Sequence, residues 1–239
     1  MARKRRAGWS ELEPSIMTAI DWMELIHAEN PYRGFPSDQF ATDLQGWGQE
    51  SPIFEEVIST YRPSQIIEVG TWKGASAIRM AELMKRHHVL KPQLICVDTW
   101  LGSVEHWMNR NDQNHFSSLA LKWGRPDLYN TFLANVVRTG HDDVIVPFPA
   151  DTSTAAKFFQ RKAMYADLIY IDASHEYENV IADLVAFWEV LRPGGVLIGD
   201  DFIPYWPGVV RAVHEFGERV GQQVNTSFPN KYLIEKTPA

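Results

Sequence analysis

The chain has 239 residues, 45% of them hydrophobic and 22% charged, which suits a folded globular protein with a sizeable core and excludes bulk disorder. Its 30 acidic against 23 basic side chains give a formal charge of −7, a balance that argues against a nucleic-acid binder or an anionic membrane surface as partner. The single cysteine, Cys96, excludes a disulfide framework and a cysteine zinc site. With no apolar run near the roughly 20 residues of a membrane helix and no apolar core behind the basic run Arg3–Arg6, the expected location is the cytoplasm.

In chain order, residues 1–8 read as a solvated tail. Apolar residues at helical spacing predict a helix over 10–28, and a turn-rich stretch fills 30–50. A short helix follows over 51–61, ended by Pro63. Then the pattern changes. Apolar strand runs at 65–69, 94–98, 144–148, 167–172 and 195–200 alternate with helices at 74–88, 176–191 and near 207–220. Runs rich in Val, Ile and Leu without polar alternation mean strands covered on both faces, and the alternation with helices means a parallel α/β sheet. Two closing runs, 222–227 and 231–236, read as a hairpin around Phe228-Pro229-Asn230. The expected architecture is a Rossmann-like, doubly wound α/β fold. It has a mostly parallel seven-stranded sheet, a C-terminal antiparallel hairpin and an N-terminal helical extension. Residues 1–62 form the extension and 63–239 the main domain. The stretch 99–143 is longer than one connection needs; a helix over 115–137 accounts for part of it, and the rest is either a lid or a passive insertion. Several of the nine tryptophans, Trp47, Trp72, Trp100, Trp107, Trp123 and Trp206 among them, fall near loops, as core residues or as the lining of a pocket.

Three groups of residues carry chemistry. In Glu68-Val69-Gly70-Thr71-Trp72-Lys73-Gly74-Ala75-Ser76 a strand ends in a glycine turn that opens a helix. Glycines allow close backbone approach to a ligand, and the helix N-terminus offers free N–H groups. Neither the dinucleotide fingerprint nor the phosphate-loop motif is present. Asp98 ends the next strand, where an acidic side chain can face ribose hydroxyls or can cap a loop. Asp151 can meet an adenine amino group or cap the following helix. At the ends of the fourth and fifth strands, Asp172, Asp200 and Asp201 share one rim. Three carboxylates together call for a cation or a shared proton, and hard oxygen ligands suit Mg²⁺, Ca²⁺ or Mn²⁺; alternatively they bond nearby backbone. His175, three residues beyond Asp172, is placed to act as general base near neutral pH or to sit as a loop histidine held by an aspartate. The Gly-x-Ser-x-Gly elbow of acyl hydrolases is absent.

Together these residues resemble the class I S-adenosylmethionine-dependent methyltransferases. The stretch Glu68–Ser76 is similar to their first motif, and Leu191-Arg192-Pro193-Gly194-Gly195 to the turn before their fifth strand. Ile171–Val180, Asp200-Asp201 and Pro207–Phe216 resemble the metal-dependent branch, within it the macrocin-type sugar O-methyltransferases and the cephalosporin-pathway family. The resemblance covers about residues 64–236. It implies S-adenosylmethionine and Mg²⁺ as cofactors and O-methylation of a small-molecule hydroxyl, in a sugar or glycoside, with a homo-oligomer left open. Glu68, Gly70, Gly74 and Ser76 would surround the cofactor's methionine end, Asp98 its ribose and Asp151 its adenine, with Thr71, Trp72 and Asp172 also among the cofactor-binding residues. Asp172, Asp200 and Asp201 would hold the metal, and His175, with Asp172, would be catalytic. Catechol-type relatives carry a lysine where this chain has Ala173 and Ser174, which sets the phenol reading second. A non-catalytic subunit of the same fold and, as the cephalosporin family suggests, an S-adenosylmethionine-binding protein of a hydroxylase pathway are further alternatives.

Overall fold

The apolar runs assemble into one sheet. Its strands are β1 (Gln65–Val69), β2 (Gln93–Asp98), β3 (Ile145–Pro149), β4 (Ala166–Ile171), β5 (Leu191–Gly199), β6 (Val224–Asn225) and β7 (Tyr232–Glu235). They lie in the order β3-β2-β1-β4-β5-β7-β6. The first five are parallel; β7 runs antiparallel beside β5 and pairs with β6. This computed structural model describes residues 21–238.

The period of two along each strand sorts side chains between two cores. Ile66, Leu94, Cys96, Leu168 and Tyr170 face one side, where α2 (Pro52–Tyr61), α3 (Ala75–Arg86) and α5 (Leu128–Thr139) cover them. Ile67, Val69, Ile95, Val97, Ile169 and Leu197 face the other, under α6 (Thr152–Lys162), α7 (Tyr177–Trp188) and α8 (Pro207–Val220). That is the doubly wound arrangement expected from the sequence. Because β1 is flanked by β2 and β4, the strand order reverses there, and a crevice opens above the carboxyl ends of β1 and β4.

One expected helix is broken, one is described only in part, and one short helix is unexpected. Of the helix expected over 10–28, the described part is α1 (Trp22–Ile26), capped by Asp21 and docked through buried Trp22 and a 2.6 Å contact from His27 to the Pro147 carbonyl. The rest, with the tail and the run Arg3–Arg6, lies outside the described residues. The helix expected over 115–137 is broken. A single 3-10 turn at Phe116–Leu119 is followed by a reversal through Ala120 and Trp123-Gly124, all at positive φ, before α5 starts at Leu128. Pro126 and Gly124 disfavour continuation. A five-residue helix, α4 (Val104–Met108), stands in the 99–143 segment where the sequence shows no periodicity, its first turn closed by Ser103 and His106. Among the described residues, no helix is long and apolar enough to cross a membrane.

Residues 42–48 are tied to the same rim. Lys73, 3% exposed, pairs with Asp43 at 2.7 Å, and the Asn135 amide donates to the carbonyls of Asp43 and Lys73. This holds Trp47 and Gly48 over the ends of β1 and β5.

Candidate active site

The glycine turn between β1 and α3 is shaped by close approach. Gly70 has φ +84°, and a Cβ there would lie 1.9 Å from the Asp172 carbonyl, so the turn can pass the end of β4 only as glycine. Gly74, φ +89°, caps α3 without a side-chain bond and packs against Phe132. Asp98 anchors the turn. Its Oδ2 accepts the N–H groups of Thr71 and Trp72 at 2.9 and 2.8 Å, and its Oδ1 accepts that of Trp100 at 2.7 Å. Burial raises the Asp98 carboxyl above its usual range, against the pull of these backbone bonds. The carboxyl group also lines the cavity above the turn.

Glu68 lies beneath the turn and has no exposed surface. Thr71 donates to it at 3.1 Å, and Ser76 and Cys96 donate as well. Burial, seconded by the charge of Asp172, pushes its carboxyl up to about 8, although the Ser76 and Thr71 bonds act the other way. Glu68 therefore supports the turn from below, and neither it nor Gly74 reaches the cavity above. Asp151 is the N-cap of α6. It accepts from Thr154 N at 2.9 Å and Thr154 Oγ1 at 2.6 Å, bonds that hold its carboxyl near 2. It still lines the cavity wall.

That cavity has a volume of about 1640 Å³. Gly70, Thr71, Trp72, Ser76, Asp98, Asp151, Asp172, His175, Asp200 and Asp201 all line it. It exceeds the 300–1,000 Å³ usual for one small ligand, so it has room for two ligands side by side. On the side of the 99–143 segment its wall is aromatic. Trp72 stacks on His106 with centroids 4.1 Å apart, and Trp47 lies 6.3 Å from Trp72 and 6.0 Å from His115. Burial, with help from His115, lowers His106 to about 4, so its ring is neutral at pH 7.

The acidic residues do not converge on one point. Asp200 Oδ1 accepts the Asp201 N–H at 2.8 Å, while its Oδ2 accepts from the Lys231 ammonium and lies 3.2 Å from the Tyr170 hydroxyl. Asp172 Oδ2 accepts from the same hydroxyl at 2.8 Å. Burial, then the charge of Asp200, raises the Asp172 carboxyl, with Lys231 opposing. Asp201, at φ +62°, turns away and meets His175 Nε2 at 3.0 Å. Among the described residues no three acidic or histidine side chains are placed to hold a metal ion together. The donor set expected to bind Mg²⁺ therefore does not fit that ion in this arrangement. Asp200 is spent on Lys231 and Asp201 on His175.

His175 is held from three sides. Besides Asp201, Glu105 of α4 lies 3.4 Å from its Nδ1, and Trp206 stacks on the ring at 3.8 Å and 10°. Burial lowers its basicity, but the bonds and charges of Asp201 and Glu105 outweigh that and raise its pKa above the ordinary value. Sequence reasoning brought Asp172, His175, Asp200 and Asp201 to one rim, where they are. It missed Lys231, Glu105 and Tyr170. Tyr170 could have been found, two residues before Asp172 on the same strand face. Lys231 could have been found from the hairpin, since pairing of Gly199 with Tyr232 sets Lys231 beside Asp200.

Known proteins share this fold. An O-methyltransferase from Bacillus cereus, solved in complex with SAH, matches with a TM-score of 0.52 over 92% of each chain at 16% identity. CalS11, a calicheamicin methyltransferase, gives 0.55 over 77% of this chain and 76% of its own at 19% identity. In sequence, uncharacterized protein R132 of Acanthamoeba polyphaga mimivirus is 23% identical over 167 residues, or 68% of this chain; the chain spans 64% of that relative's length. The family model described as Methyltransferase domain matches residues 67–202, from β1 through the acidic end of β5, which is more than half of the chain. The chain belongs to that methyltransferase-domain family.

Proposed function

We propose that the protein is an S-adenosylmethionine-dependent O-methyltransferase acting on a hydroxyl of a small molecule. One observation carries the reading. A glycine turn anchored on Asp98 and a histidine flanked by two carboxylates face each other across one cavity. S-adenosylmethionine, when bound, supplies a methyl group on a sulfonium, open to in-line displacement. The chain positions and deprotonates the acceptor. Asp98, on the cavity wall, is placed to meet a ribose hydroxyl, and the uncapped N-terminus of α3, with Ala75 and Ser76 on the same wall, offers N–H groups to a carboxylate. The walls hold the acceptor in line, which supplies much of the rate in a displacement. The proton goes to His175. Its Nε2 is oriented by Asp201 at 3.0 Å, whereas the contact of Nδ1 with Glu105, at 3.4 Å, is the longer one. The acceptor hydroxyl takes the place of Glu105 at Nδ1.

The acceptor we favour is a sugar or glycoside hydroxyl, because such a weakly acidic group needs a positioned base. A calicheamicin methyltransferase among the structural neighbours supports a small-molecule acceptor. The wall of Trp47, Trp72 and neutral His106 favours a second reading, a flat phenol stacked on those rings. Mass spectrometry of incubations with S-adenosylmethionine and paired panels of glycosides and phenols decides between them. A singly methylated glycoside is the expected product. Turnover of phenols alone selects the second reading. No methylated product, together with no heat of S-adenosylmethionine binding in calorimetry, overturns both.

A further inference from the structure

The carboxylates at the ends of β4 and β5 already face a cation, and it belongs to the chain. Lys231 precedes β7 and is 1% exposed. Its ammonium donates to Asp200 Oδ2 and, at 3.0 Å, to the Tyr170 hydroxyl, which in turn donates to Asp172. The rings of Phe54 and Tyr170 flank it, with centroids 5.5 and 5.2 Å away. Gly48 closes the remaining side: a Cβ there would lie 2.6 Å from Asp200 Oδ2 and 2.7 Å from Lys231 Nζ. A lysine walled in by Phe54, Tyr170 and the backbone of Gly48 cannot extend its head into water, as exposed lysines do. Its charge must be met inside, and Asp200 meets it.

We propose that Lys231 stands in for a divalent ion. Its buried ammonium neutralises the Asp172–Tyr170–Asp200 network, so the protein binds no divalent metal at this rim and transfers methyl groups without one. A dication brought to Asp172 and Asp200 would have to displace Lys231 from its carboxylate partner and then sit beside an ammonium with no route to solvent. What the ion would gain in ligands is small. Asp200 has both oxygens engaged, Asp201 is committed to His175, and Mg²⁺ demands near-octahedral oxygen geometry. The activity part of this inference rests on the proposed methyl transfer; the binding part does not.

The full chain tests it in two arms. In the first, thermal unfolding and titration calorimetry follow Mg²⁺, Mn²⁺ and Ca²⁺ added to chelator-treated wild type and to Lys231→Met. Wild type should show no heat and no shift in Tm. Lys231→Met should lose stability and regain it stepwise with added Mg²⁺ or Mn²⁺, as mass action requires when uncompensated carboxylates bind a cation. In the second, methyl transfer by wild type should be unchanged in excess chelator. A metal-dependent rise in wild-type Tm, or transfer lost in chelator and restored by Mg²⁺, overturns the proposal, as does a folded Lys231→Met that ignores all three ions. If Lys231→Met does not fold, the wild-type titration decides alone. If no acceptor is ever methylated, the functional reading fails, while metal exclusion still stands or falls on the titrations.

Discussion

The two halves of the rim are built in different ways. The half above β1 and β2 is made of backbone. Gly70, Thr71 and Trp72 lie consecutively, and the Asp98 carboxylate that anchors them ends the neighbouring strand. The half above β4 and β5 is made of side-chain charges. Beyond Tyr170 and one another, Asp172, His175, Asp200 and Asp201 are met by Glu105 of α4, 70 residues upstream of His175, and by Lys231 just before β7, 31 downstream of Asp200. A backbone cradle needs only a strand, a turn and a helix in sequence. A balanced charge network needs residues that nothing local brings together. The difference also assigns the work: the first half holds a ligand by fixed N–H groups, and the second manages protons and charge.

The largest expected effect breaks the second half and spares the first. His175→Ala should lower kcat by on the order of 10²–10⁴-fold, the usual cost of losing a general base, with S-adenosylmethionine affinity in calorimetry unchanged. A mutant close to wild type in kcat would remove His175 from the chemistry and shift the acceptor toward a phenol, whose own acidity suffices. The converse change is Asp98→Ala. Hydrogen bonds to a charged group contribute roughly 1.5–3 kcal/mol, so cofactor affinity should fall about 10–100-fold while kcat at saturating cofactor stays near wild type. If kcat collapses and affinity does not, the division between the halves is wrong.

That division also governs what could be read from sequence. The Val/Ile/Leu runs gave their strands because burial on both faces leaves no polar alternation to confuse them. Gly70 and Asp98 were legible because a turn at positive φ and an acidic strand end leave local signatures. Glu68 was placed on the ligand side by resemblance; the structure puts it under the turn, where β1's alternation aims residue 68 at the α2–α3–α5 face with Ile66. Glu105 was missed because α4 is five residues long and its capping by Ser103 and His106 is too short a pattern to stand out. Lys231 was missed because a lone basic residue after Asn230 reads as surface, and only the strand register makes it buried. The acidic trio was found, but whether three carboxylates share an ion or spend themselves on Lys231 and His175 depends on partners far along the chain.

A smaller effect sharpens the charge half. Asp201 and Glu105 hold the His175 pKa above its ordinary value of 6.5. As a base His175 must be neutral, so the rate should rise with pH through that raised value. Asp201→Asn removes one of the charges, and the rising limb of the kcat profile should move to lower pH, with some loss of kcat from poorer ring orientation. The stability term runs in the same sense. The raised pKa stabilises the fold fully below about 6.5 and the contribution fades as pH climbs through the folded value. In Asp201→Asn that fade should come earlier. An unmoved limb would mean that the Asp201 contact does not set the protonation of the ring.

The smallest effect on activity concerns the backbone half, through a group that never reaches the ligand. Glu68 is fully buried, and its carboxyl stands at about 8 against an ordinary value of 4.5. Between those two pH values the folded protein holds a proton there that the unfolded chain has released. Stability must then fall as pH rises from about 4.5 to about 8, because each increment of pH favours the state with fewer protons. Glu68→Gln keeps the shape, and the hydroxyls of Thr71 and Ser76 can donate to its carbonyl or accept from its amide, but it cannot ionise. Thermal unfolding of the two proteins across pH 5–9 should therefore show a shallower decline for Glu68→Gln, with the difference in Tm shifting in its favour as pH rises. The slope that remains belongs to groups raised in the fold for their own reasons, Asp172 by burial and the charge of Asp200, and His175 by its two carboxylates. Methyl transfer at pH 7 should change little, since the side chain has no face on the cavity. Parallel pH profiles in the two proteins would show that Glu68 is ionised beneath the turn. The Asp98 half would then carry two buried negative charges under its cradle, and its preference for a cationic sulfonium ligand would be electrostatic as well as geometric.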